Sequence, residues 1–179
     1  MSGLSIGGLT AVPALDRPDL VPEPVRAALS SWGAVEVGVV EIDPELADTA
    51  ALTEAYDLPL QASGNCVVVG GRRDGAQRVA ACVVRADTRA DVNNLVKRRL
   101  DVRKASFLPM SDAVERTGME YGGITPVGLP ADWRLFVDAS LAEEPVVVIG
   151  SGLRRSKLLL PGRLLVDIPR VEVVTGLGI

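Results

Sequence analysis

The most informative part of the sequence is residues 117–128, which read TGMEYGGITPVG. Gly122 and Gly123 permit positive φ angles and allow a ligand to approach the main chain closely. Pro126 fixes its own φ and favours an extended Thr125, so the loop is stiff where it ends. Such a loop can direct several N–H groups at one oxygen atom, which suits an ester carbonyl or the oxyanion formed from it. The pattern Gly-Gly-x-x-Pro is also that of an ordinary turn, and this alternative stays open.

Strand and helix patterns alternate on both sides of this stretch. Upstream, apolar residues at helical spacing predict a helix from Glu23, and β-branched residues predict a strand over Ala34–Ile42. Further strands are predicted at residues 65–69, 78–85, 104–107, 134–138, 145–149, 157–160 and 171–174. Further helices are predicted to begin after Asp43, after Asp87 or Thr88, and after Met110. Single strands and a hairpin interleave with helices, so the sequence predicts an α/β fold with a mixed, partly barrel-like sheet and surrounding helices.

Length and composition narrow the possible chemistry. The 179 residues favour one domain over residues 1–179, with residues 1–22 as an extended N-terminal leader. There is no histidine, so neither a Ser-His-Asp nor a Cys-His nucleophile can form. Histidine zinc sites are excluded, and the two cysteines are too few for a Cys₄ site, so we expect no metal and no cofactor. Cys66 and Cys82 have no CxxC spacing and are expected to be core thiols rather than a redox pair.

The charge is unevenly distributed along the chain. Residues 1–60 contain ten acidic residues and two arginines, whereas residues 61–179 contain 17 basic and 13 acidic residues. A modestly basic region of this kind can meet a polyanion, although scattered solubilising charge explains it equally well. No apolar run is long enough to span a membrane and the first residues do not form a signal peptide, so a cytoplasmic location is expected.

Residues 117–128 resemble the T-G-x-x-x-G-G-[IV]-[ST]-P-x-G signature of the YbaK/EbsC family. That family comprises aminoacyl-tRNA deacylases and the editing domain of bacterial prolyl-tRNA synthetases. Other segments occur in the family's order, over roughly residues 44–170: Asn65–Val69, Asp91–Leu100, Arg103–Ser106, Leu135–Asp138 and Val147–Arg154. The resemblance implies the same mixed-sheet fold, with helices packed around it.

The resemblance also implies a function and a site. The substrate would be the 3′ end of a mischarged tRNA, hydrolysed in trans without a protein nucleophile, with an aminoacyl-tRNA synthetase as a further partner. The implied ester-binding loop comprises Gly122, Gly123, Ile124, Thr125 and Pro126. Many family members have a lysine where this chain has Asn65, which keeps hydrogen-bonding capacity but loses the charge. The alternative is therefore a non-catalytic module that binds aminoacyl-tRNA or a nucleotide.

Further candidate residues flank this loop. Asp138 is predicted to orient water or the substrate amine, or instead to cap the helix that follows it. The turn Gly150-Ser151-Gly152 is predicted to line the pocket, with Arg154, Arg155 and Lys157 as a small cationic rim. Tyr121 is the plausible base-stacking ring, and Lys104 belongs to a basic run that contacts tRNA phosphates or forms a solvated surface.

Overall fold

The computed structural model describes residues 3–179 and contains three β-sheets. Their strands are β1 Ser5–Ile6, β2 Leu9–Thr10, β3 Val12–Pro13, β4 Gly38–Glu41, β5 Gly64–Arg73, β6 Ala76–Arg85, β7 Ala105–Phe107, β8 Arg134–Asp138, β9 Val147–Gly150, β10 Ser156–Leu160 and β11 Val171–Val174. The helices are α1 Glu23–Trp32, α2 Thr49–Tyr56, α3 Lys97–Leu100 and α4 Met110–Thr117. A π-helical segment, Val92–Val96, leads into α3, and short 3₁₀ turns join other elements.

The two larger sheets face each other across the main core. One is antiparallel with the order β3-β4-β10-β9, and the other is mixed with the order β11-β8-β6-β5-β7. The mixed sheet contains the parallel pairs β6–β8 and β8–β11. Within residues 3–179 the sheets do not close into a barrel, and an isolated bridge between Ser63 and Val148 joins their edges. The predicted mixed α/β class is confirmed.

Alternating side chains divide the apolar residues into layers. On β10, Leu158 and Leu160 enter the core between the sheets, whereas Leu159 packs on the opposite face against Leu52 of α2. On β6, Val83 faces the central core and Cys82 faces Val96 and Leu100 near α3. This period of two follows from the pleat of a strand and gives each sheet two covered faces.

Several predicted bounds change in the structure. The strand predicted over Ala34–Ile42 is shorter, because residues 34–37 form a turn that reverses the chain after α1. The hairpin strands β5 and β6 are longer, and a two-residue turn of Asp74 and Gly75, with φ angles of 51° and 80°, joins them as expected for Asp-Gly. Neither Asp87 nor Thr88 caps the following helical segment, which begins after Asp91.

The N-terminal segment is part of the packed structure. Leu9, Ala11, Ala14 and Leu20 are buried, and β3 pairs with β4. Residues 1 and 2 of the predicted leader lie outside the described residues. Over residues 3–179, no helix combines the length and apolar character needed to cross a membrane.

Candidate functional site

A cleft of about 580 Å³ opens beside the start of β5. Its volume is within the range of small-molecule binding sites. Residues 121–126, here called the glycine loop, form one wall, and the start of α2 forms another. The lining residues are Ala47, Asp48, Thr49, Gly64, Asn65, Cys66, Val67, Val68, Phe107, Leu108, Met110, Ala113, Tyr121, Gly122, Ile124, Gly150, Arg154 and Lys157.

Only part of the glycine loop faces this cleft. Gly122, with φ +77°, and Ile124 line it, and within residues 3–179 neither main-chain N–H group has a hydrogen-bond acceptor. The N–H group of Gly123 donates to Glu120 O over 3.0 Å. Thr125 is fully buried, and its N–H group lies 3.5 Å from Met119 Sδ. Two residues that line the cleft therefore have N–H groups without a partner within residues 3–179.

The other predicted loop residues support these two amides. Gly123 O accepts from Gly152 N over 2.7 Å. Pro126 has no N–H group and lines a separate cavity of about 200 Å³ on the far side of the loop. Gly123, Thr125 and Pro126 belong to the predicted ester-binding loop, but of its five residues only Gly122 and Ile124 line the cleft.

The turn at residues 150–154 packs directly against the glycine loop. A Cβ atom on Gly150 would lie 2.6 Å from Gly123 O, so the close approach requires glycine. Ser151 is buried, and its Oγ lies 2.7 Å from Ser156 Oγ. Gly152 O accepts from Glu120 N over 2.8 Å. Gly150 thus lines the cleft, whereas Ser151 and Gly152 hold the turn in place outside it.

Arg154 and Tyr121 lie together at the mouth of the cleft. The Arg154 guanidinium donates to Tyr121 O and to Pro44 O, each over 3.2 Å. It also lies 6.0 Å from the centroid of the Tyr121 ring. Tyr121 as a whole is 57% exposed, which leaves room for its ring to stack on an aromatic ligand.

Asn65 lines the cleft and is held by a neighbouring helix. Its Oδ1 accepts from Thr49 Oγ1 over 2.7 Å. Thr49 is the first residue of α2, so the start of this helix orients the amide. The Nδ2 group is then the part of Asn65 that can donate to a ligand.

Lys157 is a cleft residue that the sequence indicated only as part of a cationic rim. Its side chain is 7% exposed, and Nζ donates to Ala47 O over 3.1 Å. Burial, together with the nearby positive charge of Arg154, lowers the pKa of the Lys157 ammonium to about 8, although Asp48 partly offsets this. In the sequence, this lysine stands directly before the apolar run Leu158–Leu160. That position could have indicated a buried lysine, because the strand that contains the run is buried throughout.

Asp138 and Lys104 lie outside the cleft, which corrects their predicted places in the site. Asp138 Oδ1 accepts from Ser140 N over 2.9 Å and from Ser140 Oγ over 2.6 Å, and Oδ2 accepts from Gly178 N over 2.7 Å. It caps the 3₁₀ turn at Ala139–Glu143, which is the alternative considered for it. Lys104 is exposed beside β7, and its main chain packs near Gly71.

The thiol in the cleft is poorly suited to nucleophilic chemistry. Burial and, to a lesser degree, the neighbouring Cys82 raise the pKa of Cys66 far above its usual range. A protonated thiol is a weak nucleophile. Main-chain amides, the Asn65 amide, a phenol ring and two cations remain as ligand-binding groups, and together they suit a substrate with a polar carbonyl and an anionic part.

The chain is similar to a family profile and to a known bacterial protein. The family profile of the aminoacyl-tRNA editing domain matches residues 43–168. The chain is 28% identical over 136 residues to YwhH of Bacillus subtilis (strain 168), described as uncharacterized, and this alignment covers 76% of the chain and 83% of YwhH.

Two solved structures share the fold. One is described as a candidate trans-editing enzyme for prolyl tRNA synthetase; it has a TM-score of 0.72, 19% identity, and coverage of 92% of this chain and 98% of that one. The other is a hypothetical protein, APE2540, with a TM-score of 0.75, 23% identity, and coverage of 88% of this chain and 100% of that one.

Proposed function

Since the chain belongs to the aminoacyl-tRNA editing domain family, we propose that it hydrolyses the ester bond of a mischarged tRNA in trans. The observation that supports this proposal is that Gly122 and Ile124 line the cleft and that their N–H groups have no acceptor within residues 3–179. The tRNA and an aminoacyl-tRNA synthetase are the proposed partners, by analogy with the relative described for prolyl tRNA synthetase. Residues 1–179 act as one domain in the cytoplasm in this proposal.

The proposed reaction needs no side-chain nucleophile. Water attacks the ester carbonyl, whose oxygen becomes an oxyanion that accepts hydrogen bonds from the N–H groups of Gly122 and Ile124. The tetrahedral intermediate then expels the ribose oxygen, which takes up a proton, and the amino acid leaves as a free acid. Rigid donors aimed at such an oxyanion each contribute about 10²–10³-fold to rate in comparable sites. Asn65 Nδ2 and the Tyr121 ring orient the terminal nucleoside.

Two matched glycine substitutions test this proposal. Gly122 and Gly75 both have positive φ, at 77° and 80°, so alanine imposes a similar backbone strain at each. Only Gly122 lines the cleft, whereas Gly75 lies at the tip of the β5–β6 hairpin with open space around it. Deacylation is measured on tRNAPro charged with glycine, alanine or serine, relative to spontaneous hydrolysis.

We expect Gly122→Ala to lower the rate roughly 10- to 100-fold and Gly75→Ala to leave it within about twofold of the parent. A Cβ atom at Gly122 would lie 2.5 Å from Arg154 Nη1, so Gly122→Ala also displaces the guanidinium. Arg154→Met is therefore measured separately, to determine how much of the rate depends on that guanidinium. A parent rate no higher than the spontaneous rate on every substrate contradicts the proposal. A Gly122→Ala rate equal to that of the parent removes the loop from the mechanism.

A non-catalytic binding module is the second candidate, and Asn65 is the observation that favours it. The side chain carries no charge, and its Oδ1 is already engaged by Thr49. An Asn65→Lys variant that acquires hydrolysis from an inert parent supports the binding module. Hydrolysis by the parent itself contradicts it.

A further inference from the structure

Lys157 has a buried positive charge without an anionic partner. Together with Asp138 it makes up the charged side chains that are buried within residues 3–179. Its ammonium donates to one main-chain oxygen, Ala47 O, and no carboxylate of the described residues lies within 4.0 Å of Nζ. A buried charge is costly unless it is paired. The ammonium has three donors, so two remain for a partner that the chain does not supply.

The strand register directs this ammonium towards the glycine loop. Lys157 of β10 lies opposite Gly150 of β9, so the two residues share one face of the sheet. On that face Gly150 touches Gly123 O and Ile124 O closely enough to exclude a Cβ atom. The lysine chain therefore passes beside the glycine loop on its way to Ala47.

The charges around the cleft favour an anionic ligand. Arg154 adds a second positive charge, and Asp48, an exposed residue at the start of α2, is the carboxylate of the lining. Tyr121 and the protonated Cys66 are the other titratable side chains that face the cleft. Two cations against one carboxylate leave a net positive site.

The only anionic groups that an aminoacylated tRNA end offers to this site are the phosphates of its backbone. Its amino group is cationic, whereas its ester, ribose hydroxyls and terminal base are neutral. We propose that the Lys157 ammonium, with Arg154 beside it, binds the phosphate on the 5′ side of the terminal adenosine and so fixes the ester against Gly122 and Ile124. This inference rests on the proposed function and assigns Lys157 as a substrate-binding residue.

The test compares two non-hydrolysable probes by calorimetric titration at pH 7. One is 3′-alanylamido-3′-deoxyadenosine, and the other is the same compound with a 5′-methyl phosphate diester. We expect the phosphate to tighten binding about tenfold in the parent, as a charge-assisted hydrogen bond does. The gain is expected to fall below about twofold in Lys157→Met, whose side chain has a similar length, and to be unchanged in Lys104→Met, whose lysine lies outside the cleft.

A second measurement needs no variant. The diester does not titrate between pH 7 and 9.5, and the amino group of the probe titrates in both compounds. Because the ammonium of the free protein loses its proton near pH 8, the phosphate-dependent gain is expected to decline over this range, from about tenfold towards twofold. A constant gain across the range contradicts the assignment to Lys157.

The outcomes separate this inference from the proposed function. Equal affinity of the parent for both probes, or no binding of either, overturns the phosphate site, as does a full gain in Lys157→Met. Deacylation that persists with equal probe affinities leaves the proposed function standing without the phosphate site. Phosphate-dependent binding in a parent that hydrolyses no substrate retains the site and removes the catalytic function.

Discussion

At the scale of the residue, Lys157 is retained at a cost to stability. An ordinary lysine in the unfolded chain keeps its proton up to about pH 10.5, whereas burial in the folded protein lowers the pKa to about 8. Between these values the unfolded state binds more protons, so the free energy of unfolding of the parent rises with pH in this window. Below pH 8 the full cost of the buried charge, about 3 kcal/mol for a shift of this size, is present.

We therefore expect Lys157→Met to be more stable than the parent at pH 7 by about 1–3 kcal/mol, after allowing for the lost bond to Ala47. The difference should shrink towards zero as pH rises through 10.5, where neither state of the parent carries the charge. Urea unfolding of both proteins, at pH 7 and at several pH values up to 10.5, measures this difference in the free energy of unfolding. Lys104→Met is the exposed control, and a Lys157→Met variant that is less stable than the parent at pH 7 contradicts the prediction.

At the scale of the element, two loops build the site because they hydrogen-bond to each other. Gly152 of the 150–154 turn donates to Gly123 O of the glycine loop and accepts from Glu120 N, directly before that loop. Gly150 allows the close contact between the two segments. By contrast, the 3₁₀ turn after β8 has its own stabilising group, Asp138, at a distance from the cleft. The two loops therefore shape the wall of the cleft, whereas Asp138 stabilises the turn after β8.

We expect Asp138→Ala to lower the free energy of unfolding by about 1–3 kcal/mol, because it removes the acceptor of three hydrogen bonds from a buried position. Deacylation of the folded variant is expected to stay within about twofold of the parent. Chemical denaturation and the tRNA assay measure the two effects. Asp132→Ala, which changes an exposed side chain, is the control. A large loss of activity in Asp138→Ala without a loss of stability would show that Asp138 contributes to the reaction.

At the scale of the whole molecule, the core extends beyond the segment that the family profile matches. The profile covers residues 43–168, yet the N-terminal residues Leu20, Val25 and Leu29 belong to the core between the two larger sheets. Leu20 also accepts a hydrogen bond through its carbonyl from Ser156 Oγ, over 2.6 Å. The N-terminal segment therefore stabilises the strand that carries Lys157.

We expect Leu20→Ala to destabilise the protein by about 2–4 kcal/mol, because Leu20 is 1% exposed and its loss leaves a cavity. Leu15→Ala is the matched control, since Leu15 is 41% exposed, and we expect it to change stability by less than about 1 kcal/mol. Thermal or urea unfolding of both variants measures the difference. Similar stability of the two variants would show that the N-terminal segment does not contribute to the core as described.

Patterns of neighbouring residues were enough to predict the local features of this protein. Short runs with apolar residues placed β8 and β11 with their observed bounds, and Gly118 ended α4 in the left-handed conformation. Lack of histidine excluded imidazole catalysis, and the glycines marked the loop beside the cleft. Such features follow from local sterics and periodicity, which a linear pattern carries in full.

The pairing of the polar groups in that loop, and the side chains near them, depend on how distant segments pack together. The hydrogen bond from Lys157 to Ala47 joins residues 110 positions apart, and the bond from Asn65 to Thr49 joins separate elements. Packing likewise paired the amide of Gly123, whereas those of Gly122 and Ile124 have no acceptor in the part of the chain that the structure describes. Whether a polar group is paired, and whether a charge is buried, depends on contacts between distant segments, so neither could be read from residue types and spacing alone.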